Sequence, residues 1–403
     1  MKIRNRWLVV LGTLLAMPCV GAIYTWSLFN NHLVDINFGW EHTEVVLAYS
    51  IAIFTFAFST MLAGKLQDKI GPRIVTIIGG LLYGSGLMLT STATTLIELY
   101  IYFGIIVGAG VGTVYICCLS TGVKWFPERK GFISGVVLGA FGLGSFIFAP
   151  LVHYFIGLVG ASTAFFYLGI VYLALIIIGA LFLVVPDKAT APATSAANQP
   201  VVEIKEYTTG EMLRTRAFYM VWLTFFFACT MGHLIIGSAT DIGIHLAYLA
   251  PAVAGGIVSV FSLLNTAGRL VWGPLADKIG RFKVLAILFS ITTITMILMG
   301  TTPITHITFF VYLGIVGFCF GGFLASYPGI TGEFYGLKHY GTNYGIMYQA
   351  FGIGALAGAF IMSQIYPIGP TTFIVLAGTS IAGLALSLII KNPNATIKTT
   401  VNN

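Results

Sequence analysis

Charge is scarce in this chain. Asp, Glu, Lys and Arg make up 8% of its 403 residues, against 57% hydrophobic ones. That is too little polar surface to cover a water-soluble globule of this length, so a soluble fold is excluded and an integral membrane protein is required. Cysteine is scarce too: Cys19, Cys117, Cys118, Cys229 and Cys319 all fall inside apolar runs, with no Cys-x-x-Cys pair. They read as small core residues and imply neither a disulfide framework nor a metal site. No Walker loop, nucleophile motif or His/Cys/Asp cluster occurs, which leaves a self-contained ATP-driven pump or an enzyme without its chemistry. No cofactor is implied. Polar stretches are short apart from 186–216, which offers no output domain for a sensor or receptor.

What is present is a series of apolar runs, each near the ~20 residues a spanning helix needs, separated by short polar breaks rather than by the regular alternation of a β-barrel. They lie near 8–30, 44–64, 74–93, 98–122, 131–157, 163–185, 217–239, 251–273, 283–301, 307–332, 341–362 and 370–390. The expected fold class is therefore all-α integral membrane, with twelve transmembrane helices in two six-helix pseudo-symmetric bundles. Residues 1–185 form the first bundle and 217–391 the second. The Pro-, Ala-, Thr- and Ser-rich stretch 186–216 is a linker, and 392–403 a tail.

Lys and Arg sort into alternate loops: Lys65, Lys69 and Arg73 follow the second run, Lys124, Arg129 and Lys130 the fourth, Lys278, Arg281 and Lys283 the eighth. The opposite loops carry His32, Asp35, Glu41, Glu98, Asp241, His245 and His306, but no Lys or Arg. By the positive-inside rule both termini and the linker are cytoplasmic. The net charge of +7 is this topological bias, not a patch for nucleic acid. The basic N-terminus resembles a secretory signal, but its apolar stretch runs on to about Phe29, so it reads as a retained first span.

Gly64-Lys-Leu-Gln-Asp-Lys-Ile-Gly71 recurs as Gly273-Pro-Leu-Ala-Asp-Lys-Ile-Gly280, each between the second and third span of its half. Such a repeat marks a duplicated bundle, as in secondary transporters whose substrate site lies near the midplane. Its glycines, Gly64, Gly71, Gly273 and Gly280, let helices and turn approach closely. Asp68 and Asp277 can accept bonds from nearby cations or helix N-termini. With Arg281 beside the second copy, these residues are expected to form gating loops.

One basic residue breaks the sorting. Arg269 sits inside an apolar run, eight residues before Asp277, or roughly 12 Å inward. A guanidinium at that depth costs at least ~2.5 kcal/mol on insertion scales and marks a functional site by default. Its planar fork suits bidentate capture of a carboxylate. The alternative is a structural pair with a buried acid, but no acid shares its depth in the sequence, so the substrate is the expected counter-ion.

Several motifs carry a family resemblance. The repeated loop resembles that of the major facilitator superfamily. Asn5-Arg-Trp7, Tyr24-Thr-Trp-Ser-Leu-Phe29, Gly108-Ala-Gly-Val-Gly-Thr-Val-Tyr115, Lys124-Trp-Phe-Pro-Glu-Arg-Lys-Gly131, Gly210-Glu-Met-Leu-Arg-Thr215 and Asn343-Tyr-Gly345 resemble the oxalate/formate antiporter family from the first helix to the eleventh. The resemblance implies a major facilitator fold and exchange or co-transport of small carboxylates across the cell inner membrane. It also implies that Arg269 is the binding cation, that Tyr24 and Tyr115 enclose the substrate, and that Tyr348 stands for a Trp near the same cavity. The family's second cation does not carry over, because Phe351 occupies its position. One charge plus an apolar wall suits a monoanion with a small carbon tail, since a second unneutralised carboxylate is expensive there.

The expected function is thus a secondary transporter of small carboxylates, favouring monocarboxylates such as lactate, pyruvate or formate, by anion exchange or proton symport. The alternatives are an oxalate/formate-type dicarboxylate exchanger or a facilitator for another small solute such as a siderophore, drug or amino acid. Proton coupling would use His233 or Asp241, each of which also reads as a packing or helix-end residue. Asn265, one turn before Arg269, could orient the guanidinium, touch the ligand, or make an ordinary interhelical bond. The partners expected are the carboxylate anion, protons in the symport case and the lipid bilayer; the chain is expected to act as a monomer.

Overall fold

The computed structural model describes residues 5–26, 28–29, 33, 39–186, 205–365 and 368–393. Linker residues 187–204, the tail from 394, His32 and Asp35 lie outside the described residues. α1 (Arg6–Gly21) runs into a 3-10 turn (Ala22–Trp26), followed by α2 (His42–Ile70), α3 (Pro72–Thr90), α4 (Leu96–Trp125), α5 (Lys130–Gly142), α6 (Gly144–Val159) and α7 (Ala161–Ala180). After the linker come α8 (Thr209–Leu213), α9 (Arg216–Gly237), α10 (Ala239–His245), α11 (Pro251–Ile279) and α12 (Arg281–Thr301). The last four are α13 (His306–Tyr335), α14 (Tyr340–Met347), α15 (Gln349–Ile365) and α16 (Pro370–Ile389). Among the described residues, eleven spans are long and apolar enough to cross a membrane, and α11, 29 residues long, is the helix of the eighth apolar run. α5 and α6 share the fifth span, and α14 and α15 the eleventh.

The helices gather into two compact units, both discontinuous in sequence. One holds Met1–Glu128, Ala140–Ala197 and Lys338–Gln349; the other holds Arg129–Gly139, Asn198–Leu337 and Ala350–Asn403. In the first unit, α3 packs on α7 and α4, α2 packs on α4, and α14 lies along α2. In the second, α11 packs on α13, and α12 and α9 pack on α16. Of the five places where the chain passes from one unit to the other, those at 139/140 and 349/350 fall close to the helix breaks at Leu143 and Tyr348 that divide the fifth and eleventh spans.

Glycine explains how α14 and the start of α5 come so close to their neighbours. A Cβ on Gly64 would stand 2.1 Å from the Gly341 carbonyl oxygen, and one on Gly345 2.6 Å from that of Thr60. The second unit repeats the arrangement: a Cβ on Gly131 would stand 2.1 Å from the Gly273 oxygen, and one on Gly135 2.3 Å from the Arg269 oxygen. Only residues without a side chain allow such backbone-to-backbone crossings. Gly131→Ala is therefore expected to destabilise the protein by about 1–3 kcal/mol, since neither backbone can yield. Gly378→Ala, whose added Cβ meets nothing within 4 Å, is the control. Thermal unfolding in detergent checks both; equal melting temperatures would contradict the crossing.

The last glycine of each repeat has a different reason. Gly71 and Gly280 have φ of 90° and 99°, a left-handed region that favours glycine. Each ends one helix and starts the next, Gly71 between α2 and α3 and Gly280 between α11 and α12.

Candidate functional site

In the second unit, α11 carries Asn265 and Arg269 one turn apart where it crosses α13. Both are buried, Arg269 with only 5% of its surface exposed. The Asn265 amide donates to the Gly317 carbonyl of α13 at 3.3 Å, an interhelical bond rather than a contact with the guanidinium. Arg269 Nη1 donates to the Leu138 carbonyl at 2.5 Å, near the C-terminal end of α5 where the helix dipole is negative. Arg269 Nε is buried without a hydrogen-bond partner. Among the described residues no carboxylate pairs with Arg269. A backbone carbonyl orients the fork but carries no net charge, so the positive charge is uncompensated within the unit.

Three other sequence-derived candidates lie in the same unit. Phe351, at the start of α15, is buried, and its ring meets that of His233 edge-on with centroids 4.6 Å apart. His233 also meets Phe320 of α13 edge-on at 5.4 Å, and its Nδ1 lies 2.8 Å from the Cys229 carbonyl. Asp241 sits in the first turn of α10 and forms no hydrogen bond or ion pair among the described residues. The structure therefore brings His233 and Phe351 together, but not His233 and Asp241.

The tyrosines lie in the first unit, where they form one aromatic cluster. Tyr115 and Tyr348 rings are 4.9 Å apart, and Phe56 meets both, at 5.1 and 5.6 Å. Phe141 joins Tyr115 at 5.4 Å to Tyr24 at 5.6 Å. From Tyr348 the cluster continues down α14, with Tyr344 5.8 Å away and Tyr340 a further 5.8 Å. Sequence reasoning singled out Tyr24, Tyr115 and Tyr348 but missed Phe56, the hub, and the lower rungs. The i, i+4, i+8 spacing of Tyr340, Tyr344 and Tyr348 is the signal that could have found the ladder.

The repeated loops form two matching polar centres. In the first unit, Asp68 accepts from Lys124 Nζ at 2.9 Å and from the Thr342 backbone N–H and hydroxyl, both at 3.0 Å. In the second, Asp277 accepts from the Gly131 and Phe132 backbone N–H groups, each at 2.9 Å, and from Arg281 Nη2 at 2.7 Å. Arg281 also donates through Nε to Glu333 at 3.1 Å. Each aspartate thus sits at the N-terminal end of a helix, α14 or α5, where the dipole is positive. Lys130 ties the start of α5 to α13 through the Gly332 carbonyl at 2.8 Å. Among the described residues no group of three or more His, Cys, Asp or Glu side chains could hold a metal ion, and all five cysteines are free and buried.

These features have relatives. The profile of the Major Facilitator Superfamily matches residues 6–249 and 230–402. The chain is 36% identical to the MFS-type transporter YhjX of Escherichia coli, over 88% of this chain and 86% of that one. It is 31% identical to the oxalate:formate antiporter of Oxalobacter formigenes, over 96% of this chain and 91% of that one. Among solved structures, the proton:xylose symporter XylE superposes with a TM-score of 0.75 over 96% of both chains at 14% identity, a likeness of fold alone. With eleven membrane-length apolar spans among its described residues, a duplicated loop and whole-length similarity, this chain is a multi-pass membrane transporter and belongs to the Major Facilitator Superfamily, with the oxalate:formate antiporter among its relatives.

Proposed function

We propose that this transporter carries small carboxylate anions, with monocarboxylates such as lactate, pyruvate or formate preferred, by alternating access in the cell inner membrane with both termini cytoplasmic. The observation that carries this reading is the buried Arg269, whose charge has no acidic partner among the described residues. An entering carboxylate supplies that charge and takes a bidentate bond worth more than the single carbonyl contact. Tyr24, Tyr115 and Tyr348 act as substrate residues, and Phe351 as the apolar wall for the carbon tail. Anion exchange requires no titratable side chain, because the substrate itself neutralises Arg269 in each direction. Proton symport would draw on His233 or Asp241.

The gating role belongs to the loops around Gly64, Asp68 and Gly71 and around Gly273, Asp277, Gly280 and Arg281. Their aspartates hold the N-terminal ends of α14 and α5, so releasing those bonds frees the segments that pass between units.

Similarity to an oxalate:formate antiporter favours a second reading, dicarboxylate exchange. Phe351 decides between them. Counterflow in proteoliposomes with labelled mono- and dicarboxylates is expected to show the wild type preferring monoanions, and Phe351→Lys shifting the ratio toward dianions by about tenfold, the worth of one hydrogen bond to a charged group. An unaltered ratio in Phe351→Lys would refute the single-charge reading.

A further inference from the structure

Arg269 accounts for a carboxylate group but not for anything else on the ligand. The second unit presents one more polar group at the same level. On α13, Phe320 and Gly321 are consecutive. Phe320 covers Gly232 and meets the His233 ring, while a Cβ on Gly321 would stand 3.0 Å from the Arg269 backbone nitrogen. His233 on α9 and Arg269 on α11 therefore flank α13 at one height. Phe320 and Phe351 are 5% and 3% exposed, whereas His233 between them stays half-buried.

The tautomer of His233 is fixed by its partner. A carbonyl oxygen only accepts, so the 2.8 Å contact with Cys229 places the proton on Nδ1. The two edge-on rings, each at 77° to the imidazole, hold it in that orientation. Nε2 has no hydrogen-bond partner among the described residues. The titratable or charged groups on the surrounding elements are Arg216, Tyr219 and Cys229 on α9, Asp241 and His245 on α10, Arg269, Asp277 and Lys278 on α11, and His306, Tyr312, Cys319, Tyr327, Glu333 and Tyr335 on α13; α15 and α16 carry none. No acid pairs with the ring among the described residues, and with its proton on Nδ1 the neutral ring presents a lone pair at Nε2.

On the carboxylate reading, we infer that His233 Nε2 is the specificity contact of the site, accepting a hydrogen bond from the 2-hydroxyl of a small 2-hydroxymonocarboxylate whose carboxylate Arg269 holds. The carbon bearing that hydroxyl is adjacent to the carboxylate, so one short ligand offers both groups, and Phe351 and Phe320 cover its tail. A 2-oxo acid offers an oxygen lone pair in place of the O–H and meets the Nε2 lone pair in repulsion. An acid without a 2-oxygen simply forgoes the bond. Sites built to bond a substrate hydroxyl discriminate strongly against analogues that lack it.

Counterflow with the intact protein in proteoliposomes, using labelled L-lactate, pyruvate and propionate at pH 7.5, tests the assignment. The expected wild-type order is lactate, propionate, pyruvate, with lactate favoured over pyruvate by about tenfold, the upper range for one neutral hydrogen bond. His233→Phe keeps an aromatic ring but loses the acceptor, and is expected to bring that ratio within about twofold of one, whatever its overall rate. His233→Gln, which can turn an N–H toward the ligand, is expected to move the ratio in favour of pyruvate. A wild type indifferent between lactate and pyruvate overturns the inference without any variant, as does an unchanged ratio in His233→Phe. Transport of none of the three acids would instead remove the carboxylate reading on which it rests.

Discussion

Arg269→Gln is expected to lower carboxylate uptake about 100-fold or more while leaving the protein as stable as the wild type or more so. Two charge-assisted bonds to a carboxylate are worth about 1.5–3 kcal/mol each. Their loss removes at least about 3 kcal/mol of binding, and each 1.4 kcal/mol is a factor of ten. Stability moves the other way, because an uncompensated guanidinium at 5% exposure is a cost to the folded state. Glutamine removes that charge while keeping a polar side chain. Arg269→Lys retains the charge but not the planar fork, and is expected to fall in between. Uptake in proteoliposomes and melting temperature in detergent, measured on the same preparations, separate the two effects. Loss of both together would mean that Arg269 holds the fold and not a substrate.

Asp277→Ala is expected to have the largest effect on stability, about 3–5 kcal/mol, the usual result of breaking a buried ion pair by removing one partner. It strands Arg281, 9% exposed, with Glu333 alone, whose side chain is 44% exposed, and it leaves the Gly131 and Phe132 N–H groups without their acceptor. Asp68→Ala should cost less, because the amine it strands, Lys124, sits on a flexible stem that reaches water more readily than the Arg281 fork. Asp277→Asn keeps acceptor oxygen for the α5 amides and is expected to recover part of the loss. Thermal unfolding of the three variants gives the order, and counterflow shows whether uptake follows it. If Asp277→Ala unfolded like the wild type, Asp277 would not anchor the start of α5.

Much of this architecture was legible in the sequence, and for a definite reason. Hydropathy is a local sum over about 20 residues, and α3, α7, α12 and α16 each lie within a few residues of an apolar run read from composition alone. The breaks in the fifth and eleventh spans were not legible. Pro150 lies beyond the break at Leu143, and no proline is near Tyr348. The 48 glycines likewise hide the few that matter, because nothing local distinguishes Gly131, which meets the Gly273 backbone, from Gly378, which meets nothing.

The candidate site divides the same way. Arg269 stood out because a lone charge in an apolar run is improbable on its own terms. Its bond to Leu138, 131 positions away, did not, nor did Phe56 as the hub between Tyr115 and Tyr348. Asn265 had three readings from sequence, and the structure shows the interhelical bond to Gly317.

By itself the sequence determined the membrane class, the series of apolar runs, the duplicated loop and the isolated cation, since each follows from composition or periodicity within a short window. Only the tertiary structure decided which helices lie together, that α14 packs on α2 and the start of α5 on α11, which carbonyl orients Arg269, and which nitrogen of His233 is left open. Those outcomes depend on close packing between residues distant in the chain, where a missing side chain or a single carbonyl sets the geometry.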